Sequence, residues 1–285
     1  MGLAQVLAGV AASPPRCGER MSTPEAFFLP TCAEQRLCVH HAPSGHERAA
    51  ALYVHPFAEE MNKSRRMAAL GCRALARAGV RVLQIDLRGC GDSSADFGEV
   101  SWADWQADVR LGLDWLAARA PGIPLWLWGL RVGSLLTVAD WGRPVNHLFW
   151  QPTVSGKPAL QQFLRLKLAA EMASGASKGL MEQMKAELSA GRPVEIAGYS
   201  LGPALASGLE AARLVPAGMP GRIEWLELST REDATFAPIS DQAIKDWQAA
   251  GWSVRGQVVH GPTFWATSEI EIAPALIERT VEALS

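Results

Sequence analysis

The sequence predicts an α/β fold, a mostly parallel sheet with helices on both faces. Three observations carry that prediction. Short continuous apolar runs recur along the chain, as expected of strands buried on both faces. Segments with helical spacing separate them, the alternation that produces parallel sheets. One strand passes through a tight glycine-flanked turn, Gly129-Leu130-Arg131-Val132-Gly133, directly into a helix.

Ala49 to Val54 (AAALYV) is the first buried strand and ends at His55-Pro56. Ser64 to Ala78 has helical spacing and stops at Gly79, a residue suited to a helix C-terminus. Val80 to Asp86 is the next strand and leads into the loop Leu87 to Ser93. Ser101, followed three residues later by Asp104, caps a helix running to about Ala120. Pro124 to Trp128 is a strand, Ser134 to Asp140 a helix and Val145 to Trp150 a strand. Two more polar helices then follow, Ala159 to Ser174 and Lys178 to Leu188, so the stretch of about 155–215 reads as a small helical cap insertion. It includes a short strand at Val194 to Gly198 and a helix at Pro203 to Leu214. Strands at Ile223 to Leu228 and Val254 to Val259 flank a helix at Asp241 to Ala250, and a helix from Pro274 closes the chain. Ligands of such a sheet sit at the carboxyl ends of its strands.

Residues 1–25 read as a disordered extension and residues 26–285 as one domain; Met21 is an alternative start to Met1. The 285 residues are 48% hydrophobic and 20% charged, enough to bury one large core. A net charge of -2 with no long basic block argues against nucleic acid. No apolar run reaches the length of a membrane span. The five cysteines (Cys17, Cys32, Cys38, Cys72 and Cys90) form no CxxC pair, which fits a reducing cytoplasm. Metal-ligand spacing is absent, as are GxGxxG and GxxxxGK[ST] after a strand, so no metal and no nucleotide cofactor is expected.

The strand-turn-helix pattern matches the plan of the α/β-hydrolase fold, in which a nucleophile occupies the centre of G-x-S-x-G. Here that centre is Arg131, a permanent cation that cannot attack a carbonyl. The backbone N–H groups of Val132 and Phe57 stand where an oxyanion hole is expected, since Pro56 has none to offer. Arg131 requires something acidic nearby. The options are an anionic ligand (carboxylate, phosphate or sulfate) or an internal ion pair with Glu59, Glu60 or Asp233. Chain order makes Asp233 the candidate triad acid, with a solvated loop carboxylate as the plainer reading. His260 is the candidate base, though it stands before the late Phe264-Trp265 pair by more than the hydrolase pattern asks, and a structural histidine is the alternative. His55 either lines the pocket or hydrogen-bonds its loop. A second, literal G-x-S-x-G at Gly198 to Gly202 makes Ser200 a rival nucleophile or a simple turn serine.

The stretches HPFAEEMNKSRR (residues 55–66), DLRGCGDS (86–93), GLRVG (129–133) and Phe264-Trp265 resemble the exosortase A system-associated hydrolases, type 2, over nearly the whole chain from Ala26. The resemblance implies a bacterial protein encoded among genes for exopolysaccharide production and the sorting of surface proteins. It also implies a companion type 1 hydrolase with a cysteine at the elbow. Two functions then compete. One is an unconventional or degenerate ester or thioester hydrolase, with water activated by His260 and Asp233 and an anionic or acyl substrate clamped by Arg131. The other is a catalytically inactive protein that binds an anion or acts as scaffold for the type 1 partner.

Overall fold

The computed structural model describes residues 23–172 and 179–284. The expected disorder of the N-terminal extension falls largely outside these residues, although Glu25 already belongs to a strand.

Ten strands and eight α-helices follow in chain order among the described residues. The strands are β1 (Glu25–Pro30), β2 (Gln35–His41), β3 (Ala49–Val54), β4 (Val80–Ile85), β5 (Leu125–Leu130), β6 (Asn146–Trp150), β7 (Val194–Ile196), β8 (Tyr199–Leu201), β9 (Arg222–Ser229) and β10 (Ser253–His260). The helices are α1 (Glu59–Arg77), α2 (Trp102–Arg119), α3 (Gly133–Thr137), α4 (Gly156–Met172), α5 (Leu180–Ser189), α6 (Pro203–Ala211), α7 (Pro238–Ala249) and α8 (Pro274–Leu284). Eight strands form one sheet in the order β1-β2-β4-β3-β5-β6-β9-β10. From β4 to β10 all neighbours are parallel, whereas β2 runs antiparallel to both β1 and β4. The parallel strands therefore present their carboxyl ends along one edge.

Two strands, β1 and β2, escape the sequence reading for a physical reason. An antiparallel edge is covered on one side only, so β1 is mostly exposed and β2 alternates. Arg36 and His41 of β2 are also buried, which interrupts the apolar pattern. The helix expected from Ser64 begins instead at Glu59, where two carboxylates in the first turn complement the helix dipole. Ser101 and Asp104 form the reciprocal capping box that opens α2.

Each face of the sheet carries its own core. On one side, Trp128, Trp150 and Phe264 pack edge to face beneath α1 and α8, with the Trp150 indole donating to Thr280 Oγ1 at 2.8 Å. Gly71 of α1 is needed there, since a Cβ would fall 2.8 Å from the Trp128 ring. On the other side, Trp105 of α2 meets Phe57 and Phe97. Between β6 and β9 the chain forms α4, α5, the β7–β8 hairpin and α6, and its Phe163 and Tyr199 rest on Phe57 and Phe97. No helix among the described residues is long and apolar enough to cross a membrane.

Candidate functional site

The site lies where the carboxyl ends of β3 and β5 meet. After β5 the backbone turns back into α3 so tightly that two glycines are required. A Cβ on Gly129 would lie 2.5 Å from Ser134 Cα, and one on Gly133 would lie 2.4 Å from the Val54 carbonyl oxygen. Between them Arg131 adopts a left-handed conformation with φ 54°. Hydrogen bonds hold it there: its N–H donates to Trp150 O at 3.0 Å, and its carbonyl accepts from Ser134 N at 3.0 Å, Ser134 Oγ at 2.6 Å and Thr153 N at 3.3 Å. Such strain persists only where surrounding bonds over-determine it. Ala58, in the loop after β3, and Gln151, just after β6, also have positive φ, at 48° and 43°. Three of the five non-glycine residues with positive φ among the described residues thus lie on the edge where α/β proteins bind ligands.

The Arg131 side chain answers the question of its partner. Its Nε and Nη2 donate to one oxygen of Glu60, Oε1, at 3.3 and 3.2 Å, and its guanidinium lies 5.4 Å from the centre of the Trp265 ring. This pair is largely shielded, with side-chain exposures of 18% and 14%. Glu59 and Asp233 make no ion pair with it. Glu60 Oε2 and Glu59 Oε2 are both buried without a hydrogen-bond partner. Burial accordingly pushes the Glu60 carboxyl above the usual carboxylate range, opposed by Arg131. Burial raises the Glu59 carboxyl too, assisted by Glu60. The guanidinium thus already has one carboxyl of its own chain, Glu60, with Glu59 lining the same cavity.

The cavity bounded by Phe57, Glu59, Glu60, Arg131 and Val132 is roofed by Gln162 and Phe163 of α4 and measures about 40 Å³. That is room for a few waters, against some 300 Å³ or more in usual ligand sites. The N–H groups of Phe57 and Val132 border it and carry no hydrogen bond within the described chain.

The remaining candidates lie apart from Arg131. His55 is buried and engaged at both nitrogens: Nε2 accepts from Leu87 N at 3.2 Å and Nδ1 meets Pro56 O at 2.8 Å, which fixes the tautomer with the proton on Nδ1. Burial lowers its pKa, keeping the ring neutral. His260 ends β10 and Asp233 lies in the loop after β9; both are exposed and neither bonds the other. Ser200 sits in β8 opposite Glu195, packed close to Gly98. Sequence reasoning missed the part played by Trp265 over Arg131 and by Phe163 and Gln162 as the roof. The Phe264-Trp265 pair had no local motif to mark its direction, and the α4 residues read simply as an amphipathic helix. Among the described residues no group of three or more His, Cys, Asp or Glu could hold a metal ion.

This strand order, with the strand-turn-helix at its centre, defines an α/β-hydrolase fold. The chain belongs to the Hydrolase_4 family, described as serine aminopeptidase, S33, which matches residues 45–190. No curated protein matches the sequence. Among solved structures, it is similar to the ferulic acid-bound Est1E from Butyrivibrio proteoclasticus, with TM-score 0.65 at 13% identity over 91% of this chain and 98% of that one. It is also similar to a highly thermostable carboxyl esterase from Bacillus coagulans, with TM-score 0.60 at 13% identity, covering 92% and 98% of the two chains. A soluble variant of monoglyceride lipase from Saccharomyces cerevisiae gives 0.58 at 13% identity, covering 94% and 97%. At these identities the likeness concerns the fold.

Proposed function

We propose that this protein is a degenerate α/β hydrolase that has exchanged acyl transfer for a binding or scaffolding role. We place it with the exosortase-associated hydrolases on the strength of its sequence resemblance, with a type 1 hydrolase as the natural partner. The observation that carries this reading is the Arg131–Glu60 pair. The turn that would present a nucleophile presents a guanidinium, already bonded at 3.2 and 3.3 Å to a carboxylate of the same chain. The nearest hydroxyl along the turn, Ser134 Oγ, donates to the Arg131 carbonyl and is buried. Activation of a serine or cysteine needs an imidazole within hydrogen-bond reach. His55 is committed to the backbone, while His260 and Asp233 stand exposed and unpaired. Water activated by His260 and Asp233 is less well supported for the same reason, and the cavity beside Arg131 is too small for an acyl group.

The test is turnover. Wild-type protein and Arg131→Ser are assayed on p-nitrophenyl esters of short and long chains, acyl thioesters and aminoacyl anilides. Both are expected to stay at background, because a serine placed at this turn finds no base. A gain of about tenfold or more in Arg131→Ser, lost again in His260→Ala, overturns the reading and restores a poised triad.

A further inference from the structure

A second hollow lies away from the elbow, between α1 and β2. It has two lobes of about 230 and 220 Å³, which share Pro24, His41 and Arg73 and have no lining residue in common with the cavity at Arg131. Alanines on α1, Ala68 and Ala69 in one lobe and Ala76 in the other, leave the space. Val39, Met61 and Ile85 make the inner lobe mainly apolar.

Three polar features in this trough lack a use within the chain. His41 is 3% exposed, yet its Nε2 has no hydrogen-bond partner. Tyr53, 5% exposed, lines the inner lobe, and its hydroxyl bonds no described residue. Arg73 and Arg77, both exposed at the rim, make no ion pair or hydrogen bond with a described residue, whereas Arg65 at the inner end is matched by Asp86 at 3.0 Å. The lining thus carries one carboxylate, already paired, and two free guanidiniums. Burial first, and Arg73 second, hold the His41 imidazole down at about 4, so the ring is neutral.

We propose that this trough binds a single-headed carboxylate with an apolar body, of the fatty-acid type. The head sits at Arg73, common to both lobes, and the body lies along the alanine side of α1 over Val39 and Ile85. Free guanidiniums select an anionic head, a carboxylate among them, and the apolar lobe selects against a bare inorganic anion.

The test uses the full chain, calorimetric titration and thermal shift, with octanoate as probe and octan-1-ol and inorganic phosphate as comparators. Octanoate is expected to bind and raise Tm, and octan-1-ol to bind at least about tenfold more weakly. Phosphate should do neither. Arg73→Gln should weaken octanoate about tenfold or more, while Arg66→Gln, on the same helix but outside the trough, leaves it unchanged. Ala69→Phe should block binding; if it does not fold, Arg73→Gln alone decides. The proposal is overturned by no binding to the full chain, by equal affinity for the alcohol, by phosphate binding as tightly as octanoate, or by an unaltered Arg73→Gln. Because every readout is binding, the outcome is separate from whether the elbow turns over.

Discussion

Two ion pairs in this molecule use the same chemistry to different ends. Arg36 of β2 and Asp108 of α2 are almost fully enclosed, with side-chain exposures of 5% and 4%. Every charged atom there has a partner. Asp108 Oδ1 accepts from Arg36 Nε at 2.7 Å and Oδ2 from the Arg88 backbone N–H at 2.6 Å, while Arg36 Nη2 reaches Glu34 at 2.9 Å. Arg131 and Glu60 are looser: both donors converge on one oxygen, the other oxygen has no partner, and the backbone beneath Arg131 is strained. A buried pair that exists to hold a fold together is satisfied at every atom, because each omission costs desolvation energy. An under-satisfied pair on a strained turn beside a cavity marks a place where the fold accommodates something other than its own stability.

The comparison breaks most readily at its structural end. Asp108→Ala leaves the enclosed Arg36 Nε without its carboxylate, with only Glu34 still meeting Nη2, and frees the Arg88 N–H, in the joint between the antiparallel edge and α2. A loss of about 3–5 kcal/mol is expected in urea unfolding. A loss below about 1 kcal/mol would show that this pair is no better anchored than a surface one.

An unsatisfied buried atom does not by itself mark a site, and His147 supplies the control. It is 1% exposed, its Nδ1 has no partner, and it is packed against Phe149, Trp247 and Trp252, lining neither the cavity at Arg131 nor the trough on α1. Burial lowers its pKa to about 3. The folded state thus resists a proton that the unfolded chain accepts near 6.5, so the stability is complete above about 6.5 and is lost progressively as pH falls toward 3. Between pH 7 and pH 5 this group alone should remove about 2 kcal/mol. His147→Leu should abolish that part of the acid sensitivity in paired urea titrations; an unchanged pH slope would mean that the ring is hydrated in solution.

Much of the fold was legible because strands covered on both faces must be apolar throughout, as in AAALYV and LWLWGL. The same rule concealed β1 and β2, which lie at an edge and include buried Arg36 and His41. At the elbow, the spacing of Gly129 and Gly133 identified the turn because only glycine permits such close approach. Which acid would answer Arg131 was not legible. Glu60 is 71 residues away in the chain, and its direction follows from α1 beginning at Glu59, a turn earlier than its apolar spacing suggests. Chain order puts Asp233 in the loop after β9 and His260 at the end of β10, but order says nothing of where either side chain points.

The smallest effect should come from the elbow pair itself, and its size sharpens the contrast. In a double-mutant cycle of Arg131→Met and Glu60→Gln, the coupling at pH 7 should be about 1 kcal/mol, between the values for exposed and enclosed pairs, given side-chain exposures of 18% and 14%. The coupling should also depend on pH. Burial already raises the Glu60 carboxyl, and removing Arg131 raises it further, since the cation is what opposes the shift. Below the unfolded carboxyl pKa near 4.5, Glu60 is neutral in both states and the Arg131 contribution vanishes; it grows as pH rises through the folded value. A coupling of several kcal/mol that persists unchanged into acid would mean that Arg131 and Glu60 are a structural pair like Arg36 and Asp108. The elbow would then be merely braced, and the reason for reading it as a vacated catalytic position would be lost.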